Sequence, residues 1–328
     1  VNFDQLFDTF GNTRVAVIGD VMLDTYWWGK VDRISPEAPV PVVAVSKKEQ
    51  RIGGAANVAL NLRSLGARVS MLSVTGKDED GKLLKTLLDE QGIDTRYLVA
   101  SSERITTNKI RIISRNQHMM RLDAEQTSDL GKVDEEELLA AVEKYLHEEQ
   151  PAVVILEDYN KGVFTPTSIE KIIALCKSRD IIVTVDPKRN NFFAYKGVDI
   201  FKPNLKEAKE GLHVLAGDVD LPSMKYLHQL LSAELEHKIS LITLSEKGIF
   251  YQQDETARLI PTHVRNIADV SGAGDTVIAV ASLVYAATGD ADLAAEMANI
   301  AGGLVCEEVG TVAIDKQKLL DECKTLLL

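Results

Sequence analysis

The sequence predicts an α/β fold: a mostly parallel central sheet with helices on both faces and a small antiparallel β lid. Three observations support this. Short β-branched runs alternate with longer amphipathic segments along most of the chain, the pattern of parallel strands joined by crossover helices. Hydrophobic residues fill 45% of the 328 positions and aromatics only 5%, so the core is built of Leu, Val, Ile and Ala, as in sheets covered on both faces. Two alternating stretches, by contrast, are not followed promptly by a helical pattern.

Buried strands are expected at 15–18, 69–74, 153–156, 181–185 and 241–244, each a short Val- and Ile-rich run. Helices are expected between them at 55–65, 82–91, 135–147, 167–178 and 224–235, with three more near 274–288, 293–305 and 316–327. The run Pro39-Val40-Pro41-Val42-Val43-Ala44-Val45 alternates like a strand, and 106–114 with 117–122 reads as a hairpin around Arg115-Asn116. These form lid segments of about 38–47 and 105–123, inserted into a single domain over 1–328.

The formal net charge of −12 argues against a nucleic-acid surface, where affinity comes from lysines and arginines on phosphates. A small anionic ligand needs only a local cluster of donors. No basic-then-apolar segment opens the chain, and the longest apolar run, 277–287, falls short of a membrane span. Cys176, Cys306 and Cys323 lack metal-ligand spacing and read as reduced core thiols. A cytoplasmic protein without membrane or nucleic-acid partners is expected.

The chemistry concentrates in Asp269-Val270-Ser271-Gly272-Ala273-Gly274-Asp275-Thr276, which runs into an apolar helical pattern. Glycines let main-chain N–H groups approach a ligand, and the following helix points its positive end at the same place. Such a site suits a transferring phosphoryl group, with Asp275 placed to take the proton of an attacking hydroxyl. An aspartate there also caps a helix, which stabilises it by ~0.5–2 kcal/mol. Gly53-Gly54-Ala55-Ala56-Asn57 opens another helix, where small residues admit a sugar and Asn57 can bond vicinal hydroxyls; close packing is the alternative reading. Asn204-Leu205-Lys206-Glu207 reads either as an Asn-type capping box or as a carboxylate ordering waters around magnesium.

Together these segments resemble the ribokinase family of carbohydrate kinases. Gly-Gly-Ala-Ala-Asn at 53–57 is similar to its N-terminal signature and Asp-Val-Ser-Gly-Ala-Gly-Asp-Thr at 269–276 to its C-terminal one. The resemblance covers nearly the whole chain and implies a ribokinase-like fold using ATP and Mg2+. It implies Asp275 as general base and an anion hole at Gly272, Ala273 and Gly274. On the nucleotide side it implies Asn204, Glu207 (through water to Mg2+), Gly272, Gly274 and, at the adenine edge, Asn299. Thr243-Leu244-Ser245-Glu246-Lys247-Gly248 is similar to the family's nucleotide turn, with Ser245 in place of its first glycine. Asp269 and Ser271 are candidates for holding a monovalent cation, K+, as in some relatives.

At the sugar end, Gly19-Asp20-Val21-Met22-Leu23-Asp24 closes the first strand, so Asp20 and Asp24 lie at its carboxyl edge, where open α/β sheets place ligands. Turn formation and capping are their structural alternatives. Asp24 takes the position of the family's sugar-binding aspartate, and Gly53, Gly54 and Asn57 complete that side. Arg33-Ile-Ser-Pro-Glu-Ala-Pro-Val-Pro41, the segments 113–123 and 157–162, and Asp186-Pro187-Lys188 resemble the branch of the family acting on D-glycero-D-manno-heptose 7-phosphate at C1. That branch feeds ADP-heptose and lipopolysaccharide core synthesis. Glu157 departs from the serine expected there, as Ser271 departs from threonine. A 7-phosphate needs several cationic donors. Arg33, Lys109, Arg111, Arg115, Lys161, Lys188 and Arg189 gather on the sugar side and lid, with Lys188, Lys161 and either Arg111 or Arg115 expected to face the site.

The branch is often fused to a nucleotidyltransferase; no His-x-Gly-His motif occurs here, so a kinase without that activity is expected. The free edges of the hairpin suggest a homodimer through the lid. Fructose 6-phosphate is the alternative substrate within the family. A nicotinamide-dependent dehydrogenase would need a glycine-rich first βα turn in place of Asp20 and Asp24, and a silent sugar-binding regulator would be expected to lack Asp275.

Overall fold

In a computed structural model describing residues 1–115, 117–215, 217–263 and 265–327, the chain opens with α1 (Phe3–Thr9) and β1 (Arg14–Gly19). It then leaves the central sheet for two long strands, β2 (Val21–Ile34) and β3 (Pro41–Gly54). From there α2 (Ala55–Ser64) leads to β4 (Arg68–Gly76), α3 (Glu79–Glu90) and β5 (Leu98–Ser101). A second excursion comprises β6 (Thr107–Ser114) and β7 (Gln117–Ala124). Regular alternation follows: α4 (Lys132–Glu149), β8 (Val153–Glu157), α5 (Pro166–Lys177), β9 (Ile182–Asp186), β10 (Ile200–Phe201), α6 (Leu205–Leu212), α7 (Leu221–Leu235) and β11 (Ile239–Thr243). The hairpin of β12 (Ile249–Gln253) and β13 (Thr256–Ile260) precedes α8 (Ala273–Thr288), α9 (Ala291–Val305) and α10 (Lys316–Leu327).

The central sheet runs β13-β12-β11-β10-β9-β8-β1-β4-β5. Its strands pair in parallel except around β12, which opposes both neighbours. Side-chain alternation divides the core. On β1, Val15 and Val17 pack among residues of α1, α2, α8, α9 and α10, while Ala16 and Ile18 pack among residues of α4, α5 and α7. Strand order reverses at β1, which is flanked by β4 on one side and β8 on the other. Ligands bind open α/β sheets in the crevice at such a reversal, outside the carboxyl ends of the strands. Gly19 and Glu157 end the two strands there.

The lid is a four-stranded sheet in the order β3-β2-β6-β7. Its two hairpins are antiparallel, as expected, but they join through a parallel β2–β6 pair. Two further differences matter. Asp24, expected with Asp20 at the carboxyl edge of the first strand, lies instead on the lid, because residues 21–34 form the separate strand β2. The strand expected over 39–45 begins at Pro41, runs on to Gly54 and passes directly into α2. The period of β2 is obscured by register shifts at Trp28/Gly29 and Val31/Arg33, because a bulge resets the in–out alternation. Asn116, half of the expected hairpin turn, lies outside the described residues. Among those residues no helix is long and apolar enough to cross a membrane.

Candidate active site

The third residue of α8 is Asp275, and its carboxylate is held from two directions. Asn57 Nδ2 donates to Oδ2 at 2.7 Å, and the Tyr159 hydroxyl donates to Oδ1 at 2.6 Å. Burial raises the Asp275 pKa to about 6; the bonds from Asn57 and Tyr159 oppose the rise, Asp186 adds to it, and Lys202 opposes it. A carboxylate tuned this way is a proton acceptor matched to neutral pH. Asn57 sits in the first turn of α2, and one turn on Asn61 Oδ1 accepts from Thr276 Oγ1 and from the Ile314 N–H, both at 3.0 Å. Two buried asparagines thus stitch α2 to the start of α8. Gly272 caps α8 with φ +79°, and a Cβ there would lie 2.9 Å from Asn57 Nδ2. Only glycine gives both the turn and the clearance.

Beside the helix start lies a buried ionic cluster. Asp186, at the end of β9, receives Lys202 Nζ at 2.7 Å and Lys188 Nζ at 3.0 Å; Lys188 also reaches Glu207 Oε1 at 3.0 Å. Burial opposes ionisation of Asp186, but the two lysines outweigh it and hold its pKa below the ordinary value. Burial likewise opposes charge on Lys188, yet Asp186 and Glu207 hold its pKa above the ordinary value. Glu157, ending β8, is fully buried, and among the described residues neither of its carboxylate oxygens has a hydrogen-bond partner. Burial first, then Asp186 and Asp275, push its pKa well above the usual carboxylate range. Single carboxylate oxygens of Glu157, Asp186 and Asp275 lie within 4.8 Å of one another. Gly274, in the first turn of α8, brings its backbone beside the Lys202 ammonium and Asp186: a Cβ there would lie 3.7 and 3.8 Å from them. The Ala273 N–H is turned to the Val270 carbonyl at 3.3 Å.

Other expected site residues fall into two groups. Several are structurally engaged. Asp20 is buried and accepts three backbone N–H groups, from Tyr159 and Lys161 on Oδ2 at 2.7 and 3.2 Å and from Val163 on Oδ1 at 3.1 Å. Its carboxylate therefore holds the loop that carries Tyr159, a role the sequence reading of Asp20 as a sugar ligand did not include. Asn57, expected to bond sugar hydroxyls, gives its amide to Asp275. Asn204 and Glu207 form the reciprocal capping box of α6 at 2.8 Å in both directions. Asn299 is buried and donates to the Pro261 carbonyl at 2.8 Å. Asp269 Oδ1 accepts from the Ser271 N–H and hydroxyl at 3.0 and 2.8 Å, and Oδ2 from the Gly310 N–H at 3.0 Å.

The second group faces lid and cleft. Arg111 pairs with Asp24, both half-buried or deeper, and Gly53 leaves room for that carboxylate. Gly54, with φ +60°, opens α2 beside it. Lys161 is paired with Glu125 at 2.7 Å. Arg115 stands exposed at the tip of the lid hairpin, 4.0 Å from Asp32, so the structure separates it from Arg111 rather than offering the two as equals.

Thr243 ends β11 next to Asn204, and Ser245 and Gly248 shape the turn that follows. Ser245 has φ +57°, a left-handed conformation that costs a side-chain-bearing residue ~1–2 kcal/mol. That explains why glycine is the family's residue there. Ser245→Gly is expected to stabilise the fold by about 0.5–1 kcal/mol after the greater freedom of glycine in the unfolded chain is offset. Equal or lower urea midpoints would contradict this.

Tyr159, Glu157, Asp186 and Lys202 were not named as site residues from sequence. Glu157, Tyr159 and Asp186 lay in the segments 157–162 and 186–188 that carried the resemblance, and Glu157 also departed from serine at a strand end. No role followed for them from spacing or period, and Lys202, beyond the short strand at 200–201, carried no signal at all.

The profile of the pfkB family carbohydrate kinases matches residues 12–318. The chain belongs to that family. Among its relatives, this pfkB kinase is 39% identical over 322 residues to the bifunctional protein HldE of Geobacter sulfurreducens, covering 97% of this chain and 64% of that protein. It is 38% identical over 315 residues to the D-beta-D-heptose 7-phosphate kinase of Bordetella bronchiseptica, covering 96% and 97% of the two chains. In fold it matches Escherichia coli phosphofructokinase-2 in complex with potassium, with TM-score 0.80, 18% identity, and coverage of 95% and 99%. The ribokinase-like fold expected from the two signatures is thereby met.

Proposed function

We propose that this pfkB kinase transfers the γ-phosphoryl group of ATP to the C1 hydroxyl of D-glycero-D-manno-heptose 7-phosphate, in the cytoplasm. The observation that carries the substrate reading is the near full-length similarity to a relative named D-beta-D-heptose 7-phosphate kinase. The cleft supplies the chemistry. Asp275 takes the hydroxyl proton as the sugar oxygen forms its bond to phosphorus and the bond to ADP breaks. Asn57 and Tyr159 aim the carboxylate; the Gly274 backbone and Lys202 face the charge that grows on the phosphoryl oxygens.

A hard dication takes oxygen ligands, and the buried Glu157 carboxylate, beside Asp186 and without a hydrogen-bond partner among the described residues, fits Mg2+, with Glu207 reached through water. When bound, Mg2+ would neutralise phosphate charge. Arg111 and Lys161, on or beside the lid, are the assigned contacts for the sugar 7-phosphate, with Asp24 toward the hydroxyls. Thr243, Ser245, Gly248 and Asn299 line the nucleotide side. Asp269 and Ser271 would hold K+; equal rates in sodium-only and potassium-only buffer would remove that assignment. A second copy packed lid to lid would cover β7, whose residues are all exposed.

The test is ADP release with magnesium-ATP and, separately, the heptose 7-phosphate, the unphosphorylated heptose, fructose 6-phosphate and ribose. Turnover strongest on the heptose phosphate supports the reading, and preference for fructose 6-phosphate overturns the substrate. The pH profile is a second check. With the Asp275 pKa at about 6, kcat/KM should fall as pH drops through 6 and level off above it. Tyr159→Phe removes a bond that favours the ionised form, so its acid limb should move to higher pH. An unmoved limb would exclude Asp275 as the titrating base.

A further inference from the structure

At the opposite end of the sheet from the active site, three arginines converge on a cavity of about 290 Å³. Arg14 and Arg68 are the first residues of β1 and β4 and pair in register, and Arg63 comes from the end of α2. We propose that this cavity binds a phosphate dianion, free or as a small phosphomonoester, at a site separate from the cleft.

Several features of the cavity favour an anion. Its two lining carboxylates are already engaged, since Arg96 binds Asp94 at 2.7 Å and Glu149 at 2.7 Å; Arg14 donates to the Glu149 backbone carbonyl at 3.0 Å and stands 3.9 Å from its carboxylate. Among the described residues no carboxylate lies within 4.0 Å of the Arg63 or Arg68 side chain. Four guanidiniums therefore face two carboxylates, a local positive excess in a protein of net charge −12. Gly92 leaves space for one of them: a Cβ there would lie 3.1 Å from Arg63 Nε. The inner wall supplies the hydroxyl of the buried Tyr145, while the Ser70 hydroxyl donates to Asp94 Oδ2 at 3.3 Å. Guanidiniums with neutral O–H donors are the usual surroundings of a phosphate group. The active site lies at the far ends of the same strands, ~16 Å away along β1 at ~3.3 Å per residue.

The site is tested by calorimetric titration of the full chain, without nucleotide or magnesium, with inorganic phosphate in one arm and glycerol 3-phosphate in the other. The wild type should show saturable binding in the millimolar range or tighter. The Arg63→Ala/Arg68→Ala variant should bind at least about tenfold more weakly while its kinase turnover stays at the wild-type level. Tighter binding of the ester identifies a phosphorylated metabolite as the ligand; equal binding identifies orthophosphate. Equal affinity of variant and wild type, or no saturation by the wild type, overturns the proposal. If the alanine variant melts early, Arg63→Gln/Arg68→Gln keeps the packing of the stems and reads the same contrast.

Discussion

Asp275→Asn is expected to lower kcat by about 10²–10⁴ while leaving the fold intact. The asparagine keeps the shape and can still accept one of the two hydrogen bonds from Asn57 and Tyr159, so the helix start should persist. It cannot take a proton. A loss smaller than about tenfold would mean that another group serves as base. The same change should make the protein more stable at neutral pH. Burial raises the folded-state pKa of Asp275 from 3.8 to about 6, so the folded chain holds this proton more tightly than the unfolded one. The associated stability is full below pH 3.8 and is lost as pH rises through about 6. At pH 7.5 the ionised side chain therefore weighs against folding, and asparagine removes that burden. A melting temperature above that of the wild type, with activity gone, is the expected pair of results.

Asp20→Ala should be damaging for a different reason. The carboxylate satisfies three backbone N–H groups of the segment 159–163, and buried donors without partners cost ~1–3 kcal/mol each. Burial and then the charge of Asp158 raise the Asp20 pKa to about 6, so part of the loss is recovered when that charge goes. The three donors outweigh it, and a net destabilisation of about 3–5 kcal/mol is expected. Because Tyr159 is one of the three, kcat should fall even at temperatures where the variant is folded. Asp20→Asn, which keeps one acceptor, should be milder in both respects. Unchanged melting and turnover in Asp20→Ala would show that the loop is held by other contacts.

The parts of the molecule that obey a simple period were legible in advance. The run at 153–156 became β8 (Val153–Glu157), and the helical pattern after Gly272 became α8. What escaped was structure whose period is broken or absent. The bulges of β2 hide a fourteen-residue strand, and the β12–β13 hairpin carries polar residues, Gln252 and Gln253 on one strand and Thr256 on the other. In the site, Asp275 announces itself through its glycines, but the partners that orient it arrive from positions 57 and 159. Such pairings are set by the packing of α2 against α8 and by the loop tied to Asp20, which one-dimensional spacing does not encode. Asp20 and Asp24 look alike on paper, yet one ends inside the main body and the other on the lid.

The unbroken run of β3 into α2 has a mechanical consequence. The strand's fourteen residues reach ~45 Å along the chain at ~3.3 Å each, whereas Asn57 lies three helical residues beyond Gly54, ~5 Å away at 1.5 Å per residue. For a rigid arm pivoting at Gly54, a swing of ~5° would carry the outer end through ~4 Å and Asn57 through only ~0.4 Å. Any swing of the arm as one body would thus be reduced about nine to one. A broad stroke at the rim would then arrive at the amide that holds Asp275 as an adjustment of a few tenths of an ångström, small against the 2.7 Å of that bond.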